Sequence, residues 1–139
     1  MIQGVVNLRH EAIVRLRVRG PSGVESDVDG IVDSGFSSAL TLPSATISAL
    51  GLIREMRSSA FLADGSVRDF DVCAAEVSWD GNWRPILVSA VGDEPLIGMR
   101  LMAGHELRIE VIPNGIVAIT PLPQQPAIPT LSTTIGTPS

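Results

Sequence analysis

Val28-Asp29-Gly30-Ile31-Val32-Asp33-Ser34-Gly35-Phe36-Ser37-Ser38-Ala39-Leu40-Thr41-Leu42-Pro43 sends an ionisable side chain to the end of an apolar run, then adds two small residues suited to a tight turn. A carboxylate taken out of water is costly unless it is paired, hydrogen-bonded or needed for chemistry. Val28 to Val32 reads as an extended segment that delivers Asp33 to its end, and Leu40-Thr41-Leu42 as a second short strand. Whether Asp33 begins a turn or serves as a reagent decides how the rest of the chain is read.

On the N-terminal side, Ala12, Val14, Leu16 and Val18 alternate with Ile13, Arg15, Arg17 and Arg19, the period of a half-buried strand. Gly20-Pro21-Ser22-Gly23 supplies a turn. On the C-terminal side, Pro43 or Ser44 can open a helix of barely two turns that Gly51 closes in the left-handed conformation. From Arg57 the chain reads as successive hairpins, turning at Ala63-Asp64-Gly65-Ser66 and at Trp79-Asp80-Gly81-Asn82. Leu96 to Met102 reads as a strand end passing into a helical turn. Leu107, Ile109 and Val111 alternate with polar residues, and Pro113-Asn114-Gly115 turns the chain into Ile116 to Thr120.

Composition limits the function classes. The chain has 139 residues, enough for one domain with a real core. A net charge of −5 with no arginine cluster gives no electrostatic footprint for nucleic acid. All ten basic residues are Arg, so Schiff-base lysine chemistry and a Walker-type phosphate loop are excluded. Cys73 stands alone, which rules out an intramolecular disulfide and a multi-cysteine metal site. Neither a signal peptide nor a membrane-spanning run is read, and a cytoplasmic location is expected.

Taken in order, Val32-Asp33-Ser34-Gly35-Phe36-Ser37-Ser38, Leu40-Thr41-Leu42-Pro43, the short helix ending Leu50-Gly51-Leu52, a Gly-tipped hairpin and Leu96-Ile97-Gly98-Met99-Arg100-Leu101-Met102 resemble the retropepsin-like aspartic proteases of clan AA. The resemblance covers residues 1 to 120. It implies a mainly all-β fold, a closed β-barrel with one or two short helices and one lobe per chain. It also implies an aspartic endopeptidase without metal or organic cofactor, in which two nearby carboxylates share a proton, one activating water and the other polarising the scissile carbonyl.

This chain has one Asp-Ser-Gly, because Asp64 and Asp80 are followed directly by Gly and suit hairpin tips. The resemblance therefore assigns the second carboxylate to Asp33 of a two-fold partner, with an extended peptide bound between the dyad and a flap. It assigns Ser34 a hydrogen bond across the axis and Gly35 close approach of the substrate backbone. Asp64 and Gly65 fall on the flap, and Ile97 and Gly98 on the support of the active-site turn. Viral members carry an acidic residue two positions after the first glycine and an Arg just after the later one, forming an ion pair. Here these positions are Ser37 and Met99, and Arg100 follows where Asn or Asp is common. Two other readings of the same residues are an inactive retropepsin-like module that binds peptides as a dimer, and a structural β-domain in which Asp33 only shapes a turn.

The remaining features read as structural. Asp27 and Asp29 lack the further ligands of a calcium loop and suit a solvated turn. His10 and His105 have no partner pattern. Trp79 and Trp83 flank an Asp-Gly turn and are expected to touch across it. Cys73 fits a small buried apolar position. Residues 121–139, rich in Pro, Thr and Ser, are expected to form a flexible tail, so removal of 124–139 should leave a soluble domain by gel filtration.

Overall fold

A computed structural model describes residues 1–123; the greater part of the expected tail, 124–139, lies outside the described residues. The described chain is mostly strand, as its alternating patterns require. In sequence order the strands are β1 (Ile2–Val6), β2 (Ala12–Arg19), β3 (Glu25–Val32), β4 (Leu40–Thr41), β5 (Arg54–Phe61), β6 (Val67–Trp79), β7 (Asn82–Ser89), β8 (Leu96–Ile97), β9 (His105–Ile109) and β10 (Ile116–Pro121). One helix, α1 (Ser44–Ala49), is present among the described residues. Pro43 enters it in an extended conformation, and Gly51, at φ +64°, ends it. The expected helical turn after β8 is instead a run of tight turns, with Leu101, Ala103 and His105 each donating its N–H three residues back.

The strands hydrogen-bond in the order β5-β6-β7-β4-β8-β3-β2-β1-β10-β9, and β6 also pairs with β2. That extra pairing, Arg17 to Arg19 against Ser78 to Glu76, closes β2, β3, β8, β4, β7 and β6 into a ring. Inside it Val14, Val18, Val77, Val88, Leu40 and Ile97 are fully buried. The alternation of β2 is realised in full: Ala12, Val14, Leu16 and Val18 are buried, and Arg15 and Arg17 lie on the opposite face.

Asp27 and Asp29 lie within β3, not in a turn. Antiparallel pairing sets Arg15 opposite Asp29 and Arg17 opposite Asp27. Arg15 holds Asp29 through two hydrogen bonds of 2.8 and 3.1 Å, while Arg17 bonds both Glu25 and Asp27. The Arg15 hydrogen bond, more than its charge, holds the Asp29 carboxyl below its ordinary value. A depressed folded value means that the pair contributes above the ordinary carboxylate range and is lost as pH falls through the lowered one. In a carboxyl NMR titration, Arg15→Ala should raise the Asp29 midpoint; an unchanged midpoint would remove Arg15 as the cause.

The two tryptophans do not meet. The two-residue turn at Asp80-Gly81 sets Trp79 opposite Asn82 and Trp83 opposite Ser78, so the rings fall on opposite faces of the hairpin. Trp79 meets the His105 ring edge-on at 5.6 Å and donates its indole N–H to it, while Arg19 stacks 3.9 Å above Trp83. Cys73 is buried, and burial pushes its thiol up.

Candidate active site

Asp33 follows β3 directly and sits at the end of a strand held on both edges, by β2 and, in parallel, by β8. Its own N–H donates to the Ile97 carbonyl at 2.9 Å, fixing the residue to the end of β8. Its carbonyl accepts the Phe36 N–H at 3.1 Å, and its Oδ1 accepts the Gly35 N–H at 2.9 Å. The turn is thus closed by main chain and side chain together. Among the described residues Oδ2 accepts no hydrogen bond, so one carboxylate oxygen is left uncommitted on a half-buried residue.

The later element supports this turn closely. β8 lies between β3 and β4, with Ile97 opposite Val32 on one side and Leu40 on the other. Beyond it, Gly98, Met99 and Arg100 donate their N–H groups to the carbonyls of Ala39, Phe36 and Ser38, at 2.9, 2.8 and 3.3 Å. A Cβ on Gly98 would fall 1.9 Å from the Ser38 carbonyl oxygen and 2.6 Å from Phe36 Cδ2, so only glycine fits. Main-chain bonds join the two segments, and Ser37 and Met99 are both exposed.

Of the other expected site residues, Ser34 is exposed and its hydroxyl has no hydrogen-bond partner among the described residues. A Cβ on Gly35 would meet only Asp33 Oδ1, at 3.3 Å. Asp64 and Gly65 form the tip of the β5–β6 hairpin, well separated in sequence from the turn at Asp33. There Gly65 takes φ +86°, Leu62 and Ser66 close the loop at 2.8 Å, and Asp64 Oδ1 accepts both the Ser66 hydroxyl and its N–H. Those bonds, the hydroxyl's first, lower the Asp64 carboxyl. Phe61, Leu62 and Val67 stand exposed around this tip.

One supporting residue has a role that its place in Leu40-Thr41-Leu42-Pro43 does not announce. Thr41 is buried, accepts the Leu96 N–H at 2.9 Å and donates to the Glu94 carbonyl at 3.3 Å, tying β4 to the approach to β8. Thr41→Val leaves both main-chain groups without that partner and should cost about 1–3 kcal/mol in a urea unfolding experiment. A loss below about 0.5 kcal/mol would mean that the hydroxyl does not hold β8. Its identity as a buried polar residue in a two-residue strand was not signalled by its neighbours.

No histidine, cysteine and carboxylate cluster able to hold a metal occurs among the described residues, and no helix among them is long and apolar enough to cross a membrane. No protein-family model matches the sequence, and no curated protein does. Solved structures do match. A retropepsin-like aspartic protease from Rickettsia conorii superposes with a TM-score of 0.56 at 19% identity, covering 84% of this chain and 87% of that one. The EIAV protease complexed with the inhibitor HBY-793 superposes at 0.51 and 13% identity, covering 69% and 88%. The fold is retropepsin-like, as the ordered elements around Asp33 and Gly98 led us to expect.

Proposed function

We propose that this chain is an aspartic endopeptidase that acts as a homodimer, with Asp33 of each subunit forming the catalytic pair. The observation that carries the reading is the uncommitted Oδ2 of Asp33 on a turn pinned to Ile97, within a retropepsin-like fold. Two carboxylates brought together cannot both ionise readily, so they share one proton. The ionised one takes a proton from water as it attacks the scissile carbonyl, and the protonated one donates to the carbonyl oxygen. Ser34 would brace the paired turns across the axis, and the Asp64-Gly65 hairpin tip, with its exposed Phe61 and Leu62, would close over an extended peptide. Gly35 would leave room for that peptide's backbone.

Cleavage of a degenerate peptide library should follow a bell-shaped pH profile with its maximum on the acid side of neutral, unaffected by chelators, and Asp33→Asn should abolish it. Cleavage by Asp33→Asn at the wild-type rate would refute the assignment. Peptide binding without cleavage by the wild-type chain would favour an inactive binding module.

A further inference from the structure

Arg100 stands out by sequence position, and its surroundings single it out again. Every other arginine except Arg68 and Arg84 has a carboxylate ion-pair partner; these three have none among the described residues. Arg84 and Arg100 line one groove of about 510 Å³ on the face of β5, β6 and β7. Its floor is apolar, with Met56, Phe70, Val72 and Leu87, and no acidic side chain lines it. Arg84 is fixed, donating through Nη1 to the Leu101 carbonyl at 2.9 Å and through Nη2 to that of Arg100 at 3.3 Å. Arg100 is exposed. Ser38 and Ala39, on the segment that leaves the Asp33 turn, form the near wall. Ser38 is five positions from Asp33, a separation of at most about 17 Å even in a fully extended chain.

We infer that this groove is an extended subsite that selects peptide substrates carrying an acidic residue within about five positions of the scissile bond, its carboxylate meeting Arg100 and Arg84 and its apolar neighbours lying on Val72 and Leu87. The argument is charge complementarity: two cations without a carboxylate partner among the described residues border an apolar trough whose wall includes Ser38 and Ala39, on the segment that follows Asp33. It rests on the protease reading for its register, but not for the binding itself.

The test has two arms, both on the full chain. Fluorescein-labelled degenerate peptide pools, alike except for one fixed Glu or Gln, are titrated against Asp33→Asn by anisotropy. The Glu pool should bind about fivefold tighter, and the ratio should fall to about one with Arg100→Glu added, since an exposed charge contact is worth little more. In the second arm, wild-type cleavage of a peptide library should enrich Asp and Glu at one position near the scissile bond, and Arg100→Glu should remove that enrichment. Equal binding of the two pools overturns the inference. Cleavage without acidic enrichment overturns it as well, and leaves the protease reading standing. Selective binding of the Glu pool with no cleavage at all would sink the protease reading and keep the groove. If Arg100→Glu shifted the dimer dissociation constant in sedimentation and slowed Glu and Gln peptides alike, the groove would belong to a second copy, and the inference would fail.

Discussion

After subunit exchange, an equal mixture of wild-type and Asp33→Asn chains should retain about a quarter of the wild-type activity per total protein, against about a half for independent sites. On the proposed mechanism the reason is the shared proton. A mixed dimer has one carboxylate and one amide; the amide can neither be ionised nor lend an acidic proton, so water activation and carbonyl polarisation cannot be divided between two groups. Active dimers therefore decline as the square of the wild-type fraction, and excess variant should poison the wild type. Asn at position 33 keeps a side-chain oxygen that can accept the Gly35 N–H, so the turn and the fold should survive and the loss is chemical. A linear decline, with exchange verified by mass-tagged subunits, would mean that one chain suffices and that Asp33 is not half of a pair.

Gly98→Ala should be one of the most damaging single-methyl changes among the described residues. The added carbon would lie 1.9 Å from the Ser38 oxygen and 2.8 Å from that of Phe36, both main chain and so unable to swing aside. Relief requires moving β8 off the Asp33 loop, which breaks the Gly98 to Ala39 and Met99 to Phe36 hydrogen bonds. A loss of about 3 kcal/mol is expected, lowering the melting temperature by about 10 °C. Activity should fall further than stability accounts for, because the same shift releases the Asp33 N–H from Ile97. An alanine variant of ordinary stability would show that the two segments are not in this contact. At Gly65, which has open space around its Cβ position, only the left-handed backbone opposes the same substitution, so the cost should be far smaller.

How much of this was legible beforehand depends on whether the signal was local. The alternation in β2 and the Asp-Gly turns are properties of neighbouring residues, and both gave the right elements. Asp33 was singled out because its turn chemistry and the later Ile97-Gly98 occur together, a pattern of order more than of period. The roles of Asp27 and Asp29 were missed although the cue was present. Glu25, Asp27 and Asp29 recur at every second position, as do Arg15, Arg17 and Arg19 before the turn, and folding the hairpin sets them in register. The tryptophans failed for a related reason: proximity to a turn was taken for pairing, whereas a two-residue turn fixes which residues face each other. The hydrogen-bonding roles of Thr41 and Arg84, and the groove, could not be read at all. Thr41 acts through backbone groups of Glu94 and Leu96, and Arg84 through those of Arg100 and Leu101, partners distant in sequence that only the folded chain brings together.

The position of β10 carries a consequence for when such a protein would work. Both its edges are filled by its own chain, β1 on one side and β9 on the other, so this part of the sheet is completed without a borrowed strand. If the proposed centre takes one aspartate from each of two chains, its assembly is second-order, whereas this part of the sheet needs only one chain. On that proposal there would be a range of dilution in which the polypeptide is folded but inactive, and abundance would act as the switch. Its signature is a melting temperature that barely moves with concentration beside a specific activity that rises with it.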